Sequence, residues 1–383
     1  MKRAFLATLV IIFVMALCAG LALAGPKVAI VKSDNDIVSK DYKFDIKFIH
    51  PYDFDKPIKE IQYMHAEWGP ESQAAIEKMV REAIKLAGDW PVQPGNTVFI
   101  KPNLTIDIMN RIYGKKMKPE ELRCVCTDPR VVRAVALVAL ESGAKKVMFG
   151  DLPAHGDTMA TAKHWGYEVI TKELSVKYPG KVELVDLKLG PYKYYKPKRT
   201  GGLALKEYAI PELLVKTDII ISAPIMKTHS MAGVTLSLKN IGIGSATPSV
   251  YGQFKMGLPH QRLPEVIVDI VDIVGIDYVV MDALVAMEGN GPIDGKPVNM
   301  NTIIAGKDPV AVDWVATECM GMKGDSIGVT RLAAKYGIGT YKDVEVVGTP
   351  IVQAMRKFEP VPEAARFPGV YGRNVGWGEG APQ

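Results

Sequence analysis

Short apolar runs alternate along this chain with longer segments in which apolar residues recur every three or four positions. The short runs predict buried β-strands at residues 27–32, 96–104, 145–151, 217–224, 277–283, 301–306 and 341–348. The longer segments predict helices at residues 72–87, 129–142, 264–274 and 309–320. Because strands alternate with helices, we expect an α/β fold of Rossmann-like type, with a mostly parallel or mixed sheet flanked by helices.

Two of the predicted helices begin with the same pair of residue types. Asp128 precedes Pro129, and Asp308 precedes Pro309. An aspartate at this place can accept hydrogen bonds from the first free backbone N–H groups, and proline fits the first helical position. These pairs therefore predict where the two helices start.

The chain divides into four parts by composition. Residues 1–24 read as a signal peptide, and residues 25–94 add a strand, an irregular polar stretch and a helix to the main domain. Residues 95–350 carry the repeated strand and helix units, and residues 351–383 form a C-terminal extension that ends in a Gly-rich tail.

The N-terminal segment predicts export. Lys2 and Arg3 precede an apolar run, and Ala22-Leu23-Ala24 fits a cleavage site that would leave Gly25 as the first mature residue. We expect a periplasmic or secreted protein with no membrane span after cleavage. The alternative is an uncleaved N-terminal anchor, because the run is long enough to cross a bilayer.

The charge of the chain does not favour nucleic acid as a partner. The net charge is +5, and without Lys2 and Arg3 the chain has 45 basic against 42 acidic residues. The basic residues are dispersed, apart from a small cluster near residues 193–199 that is typical of a solvated hairpin or loop.

The cysteines outside the signal peptide are Cys124, Cys126 and Cys319. Their number and spacing do not fit a four-cysteine iron–sulfur cluster, and no C-x-x-C-H motif for covalent haem is present. We therefore expect neither group. An oxidising compartment would allow a disulfide between Cys319 and one of the other two cysteines, and the sequence does not decide whether it forms.

Polar and ionisable residues follow several of the predicted strands. In open α/β sheets, ligands bind beyond the carboxyl ends of the strands. This rule selects eight residues as site candidates: Lys101, Asn103, Asp151, His155, Lys227, His229, Asp282 and Glu288.

The stretch APIMKTHSMAGVTLSLKNIGIG (223–244) has the densest candidate chemistry. Lysines and hydroxyl groups suit an anionic ligand such as a phosphate or a carboxylate. We predict that a small anionic substrate is bound by Lys101, Asn103, Lys227, Thr228, Lys239 and Asn240. Gly242 and Gly244 would permit close approach of the backbone.

Histidines and carboxylates supply candidates for proton transfer. We predict catalytic roles for His229, His260, Asp282 and Glu288. A divalent metal is the cofactor that these residue types would allow, with Asp151, His155, His229 and His260 as candidate ligands. No H-x-x-x-H or H-E-x-x-H pair is present, so a metal site would have to be assembled across the fold.

Five segments together resemble the DUF362 family of uncharacterised proteins: VFIKPNL, CTDPRVVRAVALVALESGAKKVMFGD, IIISAPIMKTHSMAGVTLSLKNIGIG, VMDALVAMEGNGP and KDPVAVDWVA. Their order and spacing also fit, over roughly residues 95–325. The resemblance implies no established general reaction. Many members of that family carry a ferredoxin-like module, and this chain departs from them because it lacks the cysteines for one cluster.

Two functions from different classes fit these observations. The first is an exported enzyme that acts on a small anionic substrate in a cleft of Lys, His and Asp residues. The second is a non-catalytic periplasmic protein that binds an anion or a metal, or one that is accessory to a redox system. The oligomeric state is open.

Overall fold

A ten-stranded mixed sheet runs through the part of the chain that the computed structural model describes, which is residues 25–36, 41–46, 64–105, 122–154 and 156–367. The predicted signal peptide and the candidate ligand His155 lie outside the described residues, so both stay predictions.

The strands are numbered in chain order among the described residues. They are β1 (Lys27–Lys32), β2 (Lys43–Ile46), β3 (Met64–Glu67), β4 (Thr97–Pro102), β5 (Lys146–Asp151), β6 (Val182–Asp186), β7 (Tyr192–Tyr195), β8 (Tyr208–Pro211), β9 (Ile219–Ala223), β10 (Ile225–His229), β11 (Gly233–Thr235), β12 (Tyr278–Glu288), β13 (Lys296–Gly306) and β14 (Glu345–Gly348).

The helices are numbered in the same way. They are α1 (Pro70–Ala87), α2 (Pro129–Glu141), α3 (Thr158–His164), α4 (Tyr167–Lys177), α5 (Glu212–Lys216), α6 (Ser237–Gly242), α7 (Pro248–Tyr251), α8 (Leu263–Val274), α9 (Pro309–Cys319), α10 (Gly328–Lys335) and α11 (Ile351–Ala354). Short 3₁₀ turns occur at Gln253–Lys255, His260–Arg262, Gly324–Ser326 and Glu363–Ala365.

The main sheet has the strand order β14-β1-β13-β12-β9-β4-β5-β6, with β10 paired to β12 and β11 paired to β10. The pairs from β12 through β9, β4 and β5 to β6 are parallel, whereas β13 is antiparallel to both β1 and β12. The α/β class and the mostly parallel, mixed sheet predicted from sequence are confirmed. Because β4, β5 and β9 run in one direction, their carboxyl ends meet at one edge.

The sheet separates two layers of apolar side chains. Val98 and Ile100 of β4 belong to the layer that contains α1 and α2, whereas Phe99 belongs to the layer with α6, α8 and α9. Side chains alternate between the two faces of a strand. Lys101 is therefore expected on the same face as Phe99, toward α6, and it contacts Asn240 of α6 there.

Three described segments differ from their sequence predictions. The residues after Pro224 were expected to form a loop at the end of a strand. Instead, a second strand, β10, follows β9 directly and includes Lys227 and His229. The alternating pattern of VTLSL (234–238) predicts a short return strand, but β11 ends at Thr235 and the chain then turns into α6. Strand β12 continues past Asp282 to Glu288, which places Asp282 in mid-strand.

A buried carboxylate on α9 holds the start of α6. Asp313 accepts hydrogen bonds from Ser237 N (2.8 Å), Ser237 Oγ (2.5 Å) and Leu238 N (3.0 Å). These backbone groups would otherwise be free donors at a helix start. Asp313 therefore positions the short helix that carries Lys239 and Asn240. Burial raises the pKa of Asp313 to about 7.

The three cysteines outside the predicted signal peptide are buried, and no disulfide joins them in the described structure. Within the described ranges, no helix is both long enough and apolar enough to cross a membrane.

We predict that Asp313→Asn destabilises the protein. An asparagine has one acceptor oxygen and presents an N–H₂ group to a backbone donor, so the substitution should cost about 1–3 kcal/mol of unfolding free energy. Chemical denaturation at about pH 5 measures this cost, because at higher pH the ionised, buried Asp313 lowers the stability of the wild type and would offset the effect of the substitution. The exposed Asp325→Asn variant is the control and should change stability by less than about 0.5 kcal/mol. Equal effects of the two substitutions would contradict the anchoring role.

Candidate functional site

A cavity of about 280 Å³ lies at the carboxyl edge of β4 and β5. Its polar lining residues are Asn103, Thr105, Asp151, Lys227, His229, Ser230, Thr235, Lys239, Asn240, Lys255 and His260. Its other lining residues are Leu152, Pro153, Ala154, Met231, Ile243, Gly244, Phe254, Met256, Leu263, Pro292 and Ile293. A cavity lined by both kinds of residue suits a small molecule with polar and apolar parts.

The carboxylate that the described residues contribute to the cavity wall is held by an ion pair. Asp151, at the end of β5, is paired with Lys101 Nζ and also accepts from Leu104 N (2.6 Å) and Leu152 N (2.7 Å). Lys101 has no exposed surface and lies behind the wall. The negative charge of Asp151 is thus balanced before any ligand enters.

Asn240 connects α6 to the sheet beneath the cavity. Its Nδ2 donates to Lys101 O (2.9 Å) and Ser222 Oγ (3.2 Å), and its Oδ1 accepts from Lys101 Nζ (3.3 Å) and Asn103 Nδ2 (3.2 Å). Gly244 lies next to this network, where a methyl group would overlap both Lys101 and the Asn240 carbonyl. Close packing against Lys101 therefore explains this glycine.

Lys227 and Lys255 are fully buried lysines whose amines are held by oxygen atoms. Lys227 Nζ donates to Thr105 Oγ1 and Val125 O, both at 2.7 Å. Lys255 Nζ donates to Leu152 O (2.9 Å) and to Ile243 O (2.6 Å). Burial lowers the pKa of Lys227 to about 8 and that of Lys255 to about 7.

Lys239 differs from these two lysines. It is half-buried on α6, and among the described residues its Nζ has no hydrogen-bond or ion-pair partner. Burial, followed by the charges of Lys227 and Lys101, lowers its pKa to about 7. The Lys239 amine is therefore available to a molecule in the cavity.

The hydrogen bonds of His229 fix its neutral tautomer. Lys227 and His229 are two residues apart on β10, so both side chains reach the cavity from one face. His229 Nδ1 accepts from Met231 N (3.0 Å) and Ala232 N (3.2 Å). Nδ1 must then be unprotonated, and the neutral ring carries its proton on Nε2. Burial and Lys239 hold the pKa of His229 well below its usual value.

His260 has the opposite tautomer. Its Nδ1 lies 2.9 Å from Leu258 O. A carbonyl oxygen can only accept, so Nδ1 carries the proton, and Nε2 keeps its lone pair in the neutral ring. Burial is the main cause that lowers the pKa of His260. The cavity thus contains one imidazole that donates and one that accepts.

Thr235 adds a polar group that has no partner among the described residues. Its side chain is 1% exposed at the end of β11, and its Oγ1 has no hydrogen bond there. Buried hydroxyl groups are normally hydrogen-bonded. Because Thr235 lines the cavity, a bound molecule would satisfy this hydroxyl.

Positive charge exceeds negative charge among the described residues around the cavity. Lys101, Lys227, Lys239 and Lys255 surround it, and Asp151 is the carboxylate on its wall. Buried like charges are costly unless opposite charge compensates them or the groups lose their protons. An anionic ligand would provide the missing negative charge.

A family model described as "Domain of unknown function (DUF362)" matches residues 98–318. The chain belongs to the DUF362 family. The matched region contains every residue of the cavity wall, from Asn103 to Ile293. The resemblance seen in the sequence motifs is confirmed.

Known proteins similar to this DUF362 chain do not supply a reaction. The thylakoid-associated protein sll1697 of Synechocystis sp. is 27% identical over 249 residues, which are 65% of this chain and 70% of that protein. The lactate racemase apoprotein of Thermoanaerobacterium thermosaccharolyticum aligns at a TM-score of 0.36 and 14% identity, over 65% of this chain and 58% of that chain. A Thermotoga maritima protein aligns at a TM-score of 0.33 and 15% identity, over 69% of this chain and 59% of that chain. The chain therefore spans less than two thirds of either solved structure.

Eight of the candidates named from sequence meet at this place in the fold. Lys227, His229, Lys239, His260, Asn103, Asn240 and Asp151 line the cavity, and Lys101 supports it from behind. Their predicted roles in binding and catalysis stay predictions.

Three further candidates lie elsewhere. Thr228 points away from the cavity, because it alternates with Lys227 on β10, and its hydroxyl donates to Gly289 O (2.9 Å). Asp282 accepts from Asp128 N (2.7 Å) at the start of α2, and burial raises its pKa. Glu288 accepts from Glu359 N (2.8 Å). Neither carboxylate lines the cavity.

Sequence reasoning missed Lys255, Thr105 and Thr235. Phe254 and Lys255 have positive φ angles of 53° and 56°, which place Lys255 in an irregular turn that the sequence pattern does not reveal. The flanking Gly252 and Gly257 were the available signal. Such strained backbone often occurs at functional sites.

The proposed metal site is not assembled from the described residues. No group of three or more His, Cys, Asp or Glu side chains that could hold a metal ion occurs among them. Asp151 is paired with Lys101, and the Nδ1 lone pair of His229 accepts hydrogen bonds from two backbone N–H groups. His155 lies outside the described residues, so the metal prediction stays untested.

We predict that the ligand-free protein becomes more stable as the pH rises from about 7 to about 10. Lys239 has a pKa of about 7 when folded, against about 10.4 in the unfolded chain. Between these values the unfolded state binds more protons, so the unfolding free energy rises by up to about 1.4 kcal/mol per pH unit for such a lysine.

The Lys239→Met variant tests this linkage. It should be more stable than the wild type near pH 7 and should show a shallower rise with pH in chemical denaturation. Lys78→Met, which removes an exposed lysine of α1, should leave the slope unchanged. An unchanged slope in Lys239→Met would show that this amine is not desolvated.

Proposed function

We propose that this DUF362 protein is an enzyme that moves a proton on a small anionic substrate bound in the cavity. Lys227, Lys239 and Lys255 attract the negatively charged group, and Thr235 Oγ1 is placed to bond it. The apolar lining residues contact the rest of the molecule. A volume of about 280 Å³ is at the lower end of ordinary ligand pockets, which favours a small carboxylate or phosphate ester.

The opposite tautomers of the two histidines carry this proposal. His260 Nε2 has a lone pair that can accept a proton, and His229 Nε2–H can donate to an oxygen on which negative charge develops. A protein that only binds anions needs donors, whereas proton transfer needs a base as well. His260 is the base that such a binding protein would not require.

The surroundings suit His260 to act near neutral pH. Its lowered pKa keeps the ring unprotonated, and the nearby lysine amines stabilise negative charge on the substrate. Electrostatic stabilisation of developing charge is commonly the largest single contribution to such catalysis. The site therefore combines a base, an N–H donor and a cationic wall.

Deuterium exchange tests the proposal because it does not require the product to be identified. The protein is incubated in D₂O with a panel of small carboxylates and phosphate esters that carry a hydrogen next to a carbonyl or carboxyl carbon. Mass spectrometry should detect exchange into at least one of them. His260→Asn should slow this exchange by about 10²–10⁴-fold, because asparagine can still donate to Leu258 O but cannot accept the proton.

Lys78→Met is the matched surface control and should exchange at the wild-type rate. If members of the panel stabilise the protein against heat but none exchanges, the protein is a non-catalytic binder of anions. If His260→Asn exchanges as fast as the wild type, His260 is not the base.

We also propose that residues 1–24 direct export and are then removed. The support is the charged start, the apolar run and Ala22-Leu23-Ala24. Expression of the full chain in a secreting host should give a protein whose intact mass begins at Gly25. A purified species that retains the segment would favour the membrane-anchored alternative.

A further inference from the structure

One lysine of the described cavity wall has an amine that is free to react. Lys227 and Lys255 each use two N–H groups in hydrogen bonds to oxygen, which hold the nitrogen in place and leave one N–H of the protonated form for an anion. Lys239 Nζ has no such bond among the described residues, although it lines the same cavity. A difference in bonding therefore separates Lys239 from its two neighbours.

We propose that Lys239 forms a covalent imine with the carbonyl carbon of an anionic aldehyde or ketone bound in the cavity. This inference rests on the proposed function and specifies its substrate class: a small molecule with both a carboxylate or phosphate and a carbonyl group. The fixed amines of Lys227 and Lys255 would hold the anion, and the free amine would attack the carbonyl.

The chemistry of the step is balanced within the site. The Lys239 nitrogen forms a bond to the carbonyl carbon, the bond from that carbon to oxygen breaks, and the oxygen leaves as water with the two amine hydrogens. His229 Nε2–H can donate to the carbonyl oxygen during attack, and His260 Nε2 can relay the amine proton to the leaving oxygen. No oxidant, reductant or further reactant is needed.

The electrostatic surroundings agree with this geometry. A lysine amine attacks only when it is unprotonated, and desolvation next to other cationic groups produces that state. Lys239 has both features, and its pKa of about 7 leaves about half of the amines neutral at pH 7. For an exposed lysine the neutral fraction is about one in 2,500.

The imine also explains why a base lies in the same cavity. A proton taken up from solvent water converts the imine to an iminium ion, which withdraws electrons from the neighbouring carbon, so a hydrogen there becomes easier to remove. His260 Nε2 is the base in the same cavity. The free amine and the proton acceptor are thus the two groups that proton transfer next to a carbonyl requires.

Borohydride trapping tests the inference. The protein is mixed separately with pyruvate, acetoacetate and pyridoxal 5′-phosphate, each followed by sodium borohydride, which reduces an imine to a stable amine. Peptide mapping should locate the adduct on Lys239 for at least one reagent. Lys239→Arg keeps the positive charge, so it should retain thermal stabilisation by that reagent while the total adduct yield of the protein falls at least about tenfold. Lys78→Met should give the wild-type yield.

The outcomes separate this inference from the proposed function. Adducts on Lys227, Lys255 or surface lysines without one on Lys239 would overturn it. So would reagents that stabilise the protein against heat but leave no adduct on Lys239, and in that case anion binding would stand. If none of the three reagents stabilises the protein or forms the adduct, the inference fails together with the anion site.

Discussion

The candidate site depends on one electrostatic constraint: the cavity is surrounded by more buried lysine amines than carboxylates. In the described part of the chain, four lysines surround one cavity, and the wall carboxylate of Asp151 is already paired with Lys101. In ligand-free protein the remaining charge is reduced because burial lowers the pKa values of Lys227, Lys239 and Lys255. An anion that enters the cavity beside Lys227 and Lys255 would favour the protonated forms of these two lysines and supply the missing negative charge.

The fold provides the rigid support that such a site requires. Lys101 and Asp151 lie on neighbouring parallel strands, Asn240 joins α6 to both Lys101 and Ser222, and Asp313 fixes the start of α6. These contacts link residues that are far apart in sequence. The polar wall is therefore held by the sheet and by α9 rather than by surface loops alone.

The strands of the sheet and several residues at its carboxyl edge could be predicted from the sequence, because the patterns that indicate them are local. Apolar runs and Asp-Pro helix starts are short patterns, and the carboxyl ends of parallel strands meet at one edge. Lys227 and His229 were named on that basis, and they line one cavity. The DUF362 motifs were recognised for a similar reason, since their order and spacing are visible along the chain.

The remaining features depend on contacts across the fold. Asp282 was expected at a strand end, but β12 continues past it and turns it toward Asp128. Lys255 reaches the cavity through a turn with unusual backbone angles, and the unbonded Thr235 hydroxyl is recognisable only when its described neighbours are known. The tautomers of His229 and His260 likewise follow from backbone groups that no sequence pattern places.

Isothermal titration calorimetry measures the central claim most directly. Sulfate and acetate, which do not titrate near neutral pH, are each titrated into the protein in buffers that differ in ionisation enthalpy. If an anion supplies the missing charge, binding should be accompanied by net uptake of protons at about pH 7–8, because the pKa values of Lys227 and Lys255 rise when the anion is present. Binding without proton uptake, or no binding of either anion, would contradict the account.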